Sequence, residues 1–317
     1  MRVSVDVRAL DLPGFREQGI GRYAKGLLGP LAEVAEEHDA ELIQLRGKLR
    51  GPRVDVHHAL SLHGARLRPG APMVVTMHDV APLQWPEDHL RTGLKHRLRY
   101  RAVKRAAAVI CPSRAAAGDV AEHLELDPGR VTVIGEAADE RFVPVERRLD
   151  LPSPYVVYVG SLDDPRKDVP TLVANWTRPE TLVLAGSGQA PEGDRVLSLG
   201  FVPDEDLPAL YSGAECLVTA SRYEGFGLPA LEALACGTPV VAYDAGAIPE
   251  VAGPGALLAP AGDSAALMAA VGRMCDEPEL RAKLSEAGRR HAAGFSWRAA
   301  AEATWEVYES VATLPRP

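Results

Sequence analysis

The sequence predicts an α/β protein of two tandem domains, each a doubly wound parallel sheet wrapped by helices. Short β-rich runs alternate with amphipathic helical stretches almost throughout the chain, which is the pattern of repeated βαβ units. Several strand candidates of the second half are almost purely apolar, as expected when helices cover both faces of a sheet. The length of 317 residues suits two domains of roughly 150 residues each.

The elements fall into two series, separated by a polar, proline-bearing stretch at 145–154 that is typical of a linker. In the first series, strands are expected at 3–7, 41–45, 54–58, 73–78, 107–113 and 131–135, and helices at 20–37, 91–107 and 114–124. In the second, strands are expected at 155–161, 181–188, 196–202, 215–221, 238–244 and 255–260, and helices at 168–175, 205–213, 229–236, 264–275 and 278–291. A further helix is expected from Trp297 to about Val311.

Composition argues against several classes of function. The formal net charge of -8 disfavours nucleic acid as the main partner, and an aromatic content of 5% disfavours a surface that stacks bases. The cysteines form no CxxC pair, so we expect small buried hydrophobes in a reducing compartment. The N-terminus opens as a strand, and no apolar run reaches the ~20 residues that span a bilayer. These features predict a soluble, cytoplasmic protein.

The segment "SRYEGFGLPALEALACGTPVV", residues 221–241, combines two glutamates with a glycine-rich turn where a strand passes into a helix. Gly225 and Gly227 permit a tight backbone, and Pro229 fits the start of a helix whose first amides face an anion. Glu232 is expected in the first helical turn, where complementarity to the helix dipole would also explain it. Glu224 has no evident capping role, and a carboxylate can accept two sugar hydroxyls at once.

Three further motifs follow predicted strands. "GIGRY" places Gly19 and Gly21 at a helix start, where backbone can approach a ligand, although a plain tight turn explains it equally well. His78 in "TMHDVAP" follows an apolar strand and is either structural or a contact for sugar hydroxyls. Arg166 and Lys167 lie just before a helix, either as a solvated loop or as partners of a diphosphate.

Taken together, these residues suit a nucleotide sugar. Two carboxylates flanking a cluster of amides match a ligand that is a polyol, then a phosphate, then a polyol. Ligands of doubly wound sheets bind beyond the carboxyl ends of the strands, and a cleft between two domains is a natural place for a site. His57 and His58 have no acidic residue at a useful spacing, so a metal site there is disfavoured.

At this point the chain resembles the retaining, GT-B-fold glycosyltransferases of family 4. That family's signature is a Glu, seven residues and a second Glu within EGFGLPxLEAxAxGxPVV, which is matched here from Glu224 through Glu232 to Val241. "GIGRY", "TMHDVAPL", "CPSR", "LAGSG" and "AGAIPEVAG" support the resemblance along nearly the whole chain. The resemblance implies two Rossmann-like domains facing each other across a cleft.

The resemblance also implies a separate role for each part of the chain. Residues 1–148 would form the acceptor-binding domain, residues 149–296 the nucleotide-sugar-binding domain, and 297–317 a helix that crosses back to the first domain. Glu224 would bind the donor sugar's hydroxyls at C3 and C4, and Glu232 the ribose diol. His78 would contact the donor sugar near the reacting centre.

The remaining implied roles concern the phosphates and the base. Backbone amides of Phe226, Gly227 and Leu228 would hold the sugar ring and the diphosphate. Lys167, assisted by Arg166, would pair with the phosphates, and Gly19 or Gly21 would approach the β-phosphate. The segment Gly200–Val202 would line the base pocket through its backbone. Many members have Gly-Arg where this chain has Gly160-Ser161, so Arg166 is the candidate to replace that arginine.

The implied reaction is a metal-independent, retaining transfer of a hexose to a hydroxyl acceptor in polysaccharide, glycolipid or glycoside synthesis. No cofactor is required beyond the donor, because cations and helix amides stabilise the departing nucleoside diphosphate. "HDVAPL" resembles mannosyl- and rhamnosyl-type members and favours GDP-mannose, with a UDP-hexose as the rival. A nucleotide-sugar epimerase of the same fold is the alternative from a different class. The acceptor is expected to be a carbohydrate or a lipid-linked molecule.

The basic segment 91–107 raises a separate hypothesis. Its cations accompany Leu94, Leu98 and Ala102, which are spaced as an apolar stripe. A basic amphipathic helix can lie on anionic lipid, so peripheral contact with the inner face of a membrane is one interpretation. A solvated helix packed on its sheet is the other.

Overall fold

In the computed structural model the described residues are 1–11, 19–46, 53–85, 93–146 and 149–314, without the side chains of Ala9 and Lys95. Two compact units are present. Residues 1–136 together with 296–317 form the first unit, and residues 137–295 form the second. The functional roles predicted for residues 1–148, 149–296 and 297–317 stay predictions.

The first unit is built on a six-stranded, all-parallel sheet with the order β2-β1-β3-β4-β5-β6. Its strands are β1 (Arg2–Asp6), β2 (Glu41–Leu45), β3 (Val56–Ala59), β4 (Met73–Thr76), β5 (Ala108–Cys111) and β6 (Val131–Val133). Its helices are α1 (Gly19–Glu37), α2 (Ala81–Gln84), α3 (Leu94–Val103) and α4 (Arg114–Leu124). The central strands β3, β4 and β5 are buried at every residue, as expected for a sheet covered on both faces.

The second unit repeats this plan with the order β12-β11-β10-β7-β8-β9, again with every strand pair parallel. Its strands are β7 (Tyr155–Val159), β8 (Thr181–Ala185), β9 (Val196–Gly200), β10 (Leu217–Thr219), β11 (Val240–Tyr243) and β12 (Ala256–Ala259). Its helices are α5 (Val169–Ala174), α6 (Leu207–Ser212), α7 (Leu228–Ala235), α8 (Ile248–Ala252), α9 (Ser264–Asp276) and α10 (Pro278–Ala292).

The final helix, α11 (Trp297–Ala312), belongs to the core of the first unit. Trp305, Tyr308 and Val311 are buried there against α1 and the sheet. The Tyr308 hydroxyl hydrogen-bonds to Nδ1 of His58 at 2.6 Å, and Nε2 of His58 hydrogen-bonds to Thr76. His58 is therefore a structural residue that ties α11 to the sheet.

The predicted strands are all confirmed, and most end a few residues earlier than predicted. The run 181–188 stops at Ala185 because Gly186 leaves the ladder with a φ of +151°. The short helices α2 and α8 were not predicted, since four or five residues carry no usable periodicity. Cys111, Cys216 and Cys236 are buried as expected, Cys275 is partly exposed, and all four are free thiols.

The apolar stripe predicted on segment 91–107 is wrong in one member. Leu94 and Leu98 are 73% and 39% exposed, whereas Ala102 is buried in the core beside Val103. Residues at i and i+4 differ by about 40° around a helix, so a stripe drifts; by Ala102 it has turned towards the sheet. Residues 91 and 92 and the Lys95 side chain lie outside the described part.

Candidate active site

The candidate site lies at the point where the second sheet changes direction. β7 and β10 are neighbours, yet the chain leaves β7 towards β8 and β10 towards β11. In doubly wound sheets such a switch point opens a crevice at the carboxyl ends of the strands. The loops that follow the two strands are joined there, because the amide of Arg222 donates to the carbonyl of Arg166 at 2.8 Å.

Two of the predicted site residues meet in this place. Nζ of Lys167 lies 2.5 Å from Oε1 of Glu224, and the two side chains are only 18% and 15% exposed. Lys167 ends a 3-10 turn, Pro165–Lys167, that the Asp164 side chain caps by accepting from the Arg166 amide. The cation predicted for the phosphates and the carboxylate predicted for the sugar are therefore already paired.

Gly246 fixes the backbone at Glu224, a role that the sequence reasoning did not assign. Its φ of +56° suits glycine, and a Cβ there would lie 2.6 Å and 2.7 Å from the carbonyl oxygen and the amide nitrogen of Glu224. The amide of Ala247 donates to the same carbonyl at 2.9 Å. Gly246 stands in the motif "AGAIPEVAG", but a single sequence does not reveal that its backbone lies close to that of Glu224.

The turn before α7 has the predicted form. Gly227 is the N-cap with a φ of +101°, Leu228 begins the helix and Pro229 follows it. A Cβ on Gly227 would also come within 2.8 Å of Cδ1 of Ile248, but the left-handed backbone is the main reason for glycine at this position. Phe226 is buried and packs edge-on against Phe295. The first amides of α7 are thus presented by a rigid turn, which suits an anion.

Glu232 is not in the first turn of α7, and that prediction was wrong. The helix begins at Leu228, which leaves no acidic residue in its first turn. Glu232 is 1% exposed and accepts a hydrogen bond from the Tyr211 hydroxyl at 3.1 Å. Dipole complementarity falls off within the first turn, so it does not explain this carboxylate.

Arg166 already has a carboxylate partner. Its guanidinium donates to both oxygens of Asp164, with Nη2 at 2.7 Å from Oδ2. Burial by itself raises the pKa of Asp164, but the Arg166 hydrogen bonds and charge outweigh it and lower that pKa. Arg166 is therefore oriented in the loop, and any ligand would share it with Asp164.

Gly160 and Gly186 follow β7 and β8, Gly200 ends β9, and these three glycines bring the carboxyl ends of the strands together. The Gly160 amide donates to Ala185, and the Gly186 amide donates to Gly200 at 2.8 Å. A Cβ on Gly186 would lie 1.7 Å from the carbonyl oxygen of Gly160, so a side chain cannot be placed there. Val202, the predicted base-pocket residue, is partly buried beyond this junction.

His78 lies in the first unit, beyond the end of β4. Its Nδ1 is 3.2 Å from Oε1 of Glu136, and its Nε2 is 3.0 Å from the carbonyl oxygen of Leu60. Burial lowers the pKa of His78, but the hydrogen bond and charge of Glu136, with smaller contributions from Leu60 and Asp79, raise it above 6.5 overall. Both ring nitrogens face oxygen atoms, an arrangement in which a protonated ring can donate to each.

Gly19 and Gly21 occupy the first turn of α1, also in the first unit. Gly19 has open space where a Cβ would stand, and Gly21 is buried. The structure thus brings Lys167, Glu224 and the α7 turn together in the second unit. It places His78, Gly19 and Gly21 in the first.

The described ranges contain neither a candidate metal site nor a candidate membrane-spanning helix. No group of three or more His, Cys, Asp or Glu side chains that could hold a metal ion is found there. No helix within the same ranges is long and apolar enough to cross a membrane.

Comparison with known proteins agrees with this geometry. Residues 1–141 match the family model "Glycosyltransferase Family 4", and residues 144–291 match "Glycosyl transferases group 1". A D-inositol 3-phosphate glycosyltransferase of Salinispora tropica is 31% identical across an alignment that covers 96% of this chain and 76% of the relative. The chain belongs to glycosyltransferase family 4.

One further relative and one solved structure extend the comparison. This family 4 glycosyltransferase is 32% identical to the MMP alpha-(1->4)-mannosyltransferase of Mycolicibacterium hassiacum, over 76% of the chain and 66% of the relative. Sucrose-phosphate synthase of Thermosynechococcus elongatus superposes with a TM-score of 0.80 at 22% identity, covering 98% of each chain. The predicted two-domain GT-B fold is thereby confirmed.

Proposed function

We propose that this family 4 glycosyltransferase moves a hexose, with mannose favoured, from a nucleotide diphosphate sugar to a hydroxyl acceptor with retention of configuration. The observation that carries the proposal is the Lys167–Glu224 pair at the switch point of the second sheet. A cation and a carboxylate fixed beside the amides of α7 match the adjacent diphosphate and hydroxyls of a nucleotide sugar.

In this proposal each group has a separate task. Glu224 accepts hydrogen bonds from the donor sugar's hydroxyls. The Lys167 ammonium forms an ion pair with the diphosphate while it still contacts Glu224. The bond between C1 and the β-phosphate oxygen breaks while the acceptor oxygen bonds to C1 on the same face. The hydroxyl proton passes to the departing diphosphate, so no side chain is required as the base. Lys167 and the α7 amides stabilise the charge that develops on the leaving group without a metal.

GDP-mannose is the favoured donor because the "HDVAPL" segment is mannosyltransferase-like and a mannosyltransferase is among the relatives. The direct test is thermal unfolding of the full chain with a panel of GDP- and UDP-sugars. A ligand at about 100 times its Kd stabilises the folded state by about 2.7 kcal/mol. We expect GDP-mannose to raise the Tm most; a larger shift with a UDP-hexose would replace it as donor.

Glu224→Ala tests the site itself. We expect transfer to fall by roughly 10- to 150-fold, because a hydrogen bond to a charged group contributes about 1.5–3 kcal/mol. Glu205→Ala removes an exposed glutamate of the same unit and is the matched control. Circular dichroism and the Tm of the unliganded variants check that both fold. Near-normal turnover in folded Glu224→Ala would overturn the assignment.

The cytoplasmic location and the peripheral membrane contact of α3 are also part of the proposal. Leu94 and Leu98 are exposed on α3, and Arg97 and Arg101 are exposed beside them. Exposed leucines flanked by cations suit an anionic lipid surface.

A further inference from the structure

Glu136 is a buried carboxylate of the first unit to which the reaction described above gives no task. Its side chain is only 4% exposed, and it follows β6, the last strand of the first sheet. His78 follows β4 and Leu60 follows β3 in the same sheet. The carboxyl ends of parallel strands lie at one edge of a sheet. Residues that are distant in the chain therefore meet there, and Nδ1 of His78 lies 3.2 Å from Oε1 of Glu136.

The hydrogen bonds of the His78 ring determine where its protons lie. The carbonyl oxygen of Leu60, 3.0 Å from Nε2, can only accept a hydrogen bond, so Nε2 carries a proton. A second proton then lies between Nδ1 and the carboxyl group of Glu136, bound to one or the other. In both cases neither ring nitrogen has a free lone pair. His78 therefore cannot serve as a general base, and its ring accepts no hydrogen bond from a ligand.

Glu136 is the group that favours the proton on the ring. Burial lowers the pKa of His78, but the hydrogen bond and charge of Glu136 outweigh burial, and Asp79, the next residue, makes the smallest contribution. Tyr23 of α1 packs edge-on against the ring at 4.8 Å, and burial raises the pKa of its hydroxyl, which stays neutral. His58 of β3 is also neutral, because burial lowers its pKa to about 3.

We propose that Glu136 is a positioning residue for the transfer reaction, which orients the His78 ring and keeps it an imidazolium. A carboxylate on Nδ1 holds an imidazole in one orientation and stabilises its protonated form. A fixed positive charge assists a reaction in which negative charge develops on a departing diphosphate. The proposal rests on the proposed function, because that transfer supplies the developing charge. His78 then acts through its charge and not as a base.

Three variants separate this role from a purely structural one. Glu136→Gln keeps the size of the side chain and removes its charge, and its amide can still donate to Nδ1 of a neutral His78. Glu136→Asp keeps the charge on a shorter side chain. Glu180→Gln is the matched control, because Glu180 is also a buried carboxylate and its partner Arg178 keeps Asp276 at 2.7 Å. Circular dichroism and the Tm check that each variant folds.

The first measurement follows the ionisation of His78 in the unliganded full-length protein, by NMR of histidine isotope-labelled at Cε1. His78→Gln identifies the signal by its loss. We expect the native signal to titrate above 6.5. In Glu136→Gln the pKa of His78 should fall below the native one, because burial is then opposed only weakly. Glu180→Gln should keep the native titration.

An unchanged His78 pKa in folded Glu136→Gln overturns the proposal. Glu136→Asp should lower the pKa of His78 less than Glu136→Gln does, because the carboxylate stays but moves away from Nδ1. If Glu136→Gln does not fold, Glu136→Asp carries the test, and a native titration in that variant overturns the proposal in the same way.

The second measurement follows turnover against pH, as release of GDP from GDP-mannose, or of UDP where a UDP-hexose raises the Tm more. We expect the native kcat to fall as the pH rises through the pKa of His78, since the positive charge is then lost. In Glu136→Gln this fall should begin at a lower pH. Above that pH, kcat should be lower by roughly tenfold or more with little change in the KM for the donor, and acid should restore it. A structural role would lower turnover at every pH.

Donor binding is measured in parallel, so that the two proposals fail separately. If no nucleotide sugar raises the Tm of the native protein and none releases its nucleoside diphosphate, the proposed function fails, whatever the NMR titration shows. If the native protein binds and turns over the donor but Glu136→Gln keeps the native pH profile, the proposed function stands and this inference fails.

Discussion

At the scale of single residues, Glu224 shows how far a sequence can be read. The sequence singles it out because it has no evident role in capping the helix, and in the structure it lies beside Lys167. The structure adds a role that the sequence could not reveal, because Glu224 neutralises Lys167 at 2.5 Å. Residues 57 positions apart in the chain become partners only through the pairing of β7 with β10.

His78 is the residue for which protonation matters most. Its folded-state pKa is raised above 6.5, so the stability it contributes is fully present below about pH 6.5 and is lost as pH rises through the folded pKa. We predict that His78→Gln flattens the fall in unfolding free energy as the pH rises above about 6.5, measured by urea denaturation.

The reference variant for that measurement carries its substitution at a histidine whose pKa is lowered instead of raised. His57 and His58 have lowered pKa values, about 4 and about 3, because both are buried. Their contribution is lost only as pH falls below about 6.5, so His58→Gln should leave the slope above pH 6.5 unchanged. If His78→Gln keeps the native slope there, the imidazole is not protonated in the folded state.

At the scale of elements, the crossing of α1 and α11 depends on one glycine. A Cβ on Gly26 would lie 2.2 Å from the indole ring of Trp297, and Trp297 in turn packs edge-on against Tyr23. Tyr23 contacts the His78 ring at 4.8 Å. The helix that closes the chain therefore supports, through α1, a residue at the end of β4.

We predict that Gly26→Ala destabilises the first unit by about 1–3 kcal/mol, because overpacking outweighs the gain in helix propensity of about 1 kcal/mol. Gly118→Ala in α4 is the control with the opposite sign, since no atom of the residues that the structure describes lies within 4 Å of its Cβ position. Both are measured by chemical denaturation. Equal stabilisation by the two substitutions would refute a close crossing; partial rescue of Gly26→Ala by Trp297→Phe would support it.

The elements were predictable where local pattern decides them. Apolar runs bounded by glycine and proline gave every strand, and long amphipathic stretches gave α1, α9, α10 and α11 within about one residue. Glu232 was placed in the wrong turn because the turn in which a residue lies depends on where the helix starts. The error on Ala102 has a different cause, the drift of an i, i+4 series around the helix. Gly186 and Gly246 were missed because their neighbours belong to distant loops.

At the scale of the whole molecule, the order of the motifs along the chain indicates function more strongly than any single motif does. "EGFGLP" by itself indicates only a strand-turn-helix joint. It indicates a ligand site when it lies at the switch point of a doubly wound sheet. The alternation of strands and helices predicts a doubly wound sheet, whereas the strand order that creates this switch point comes from the structure.

The distribution of charge leads to the last prediction. The chain carries a formal net charge of -8, which opposes binding to anionic lipid, so any adsorption has to come from a local patch such as α3. Each basic residue near such a surface contributes about 1 kcal/mol. We therefore expect binding to phosphatidylglycerol vesicles at low ionic strength, its loss in 0.5 M salt as screening shortens to roughly 4 Å, and no binding to neutral phosphatidylcholine.

The double variant Arg97→Gln/Arg101→Gln should weaken that binding about 30-fold, the equivalent of about 2 kcal/mol. Lys283→Gln/Arg290→Gln on α10 makes the same change in net charge at exposed positions of the second unit, and should leave binding nearly unchanged. Vesicle flotation measures both. Equal weakening by the two pairs of substitutions would mean that net charge and not α3 governs adsorption. Salt-insensitive or absent binding of the native protein would exclude the membrane contact. In that case α3 is a solvated helix packed on its sheet.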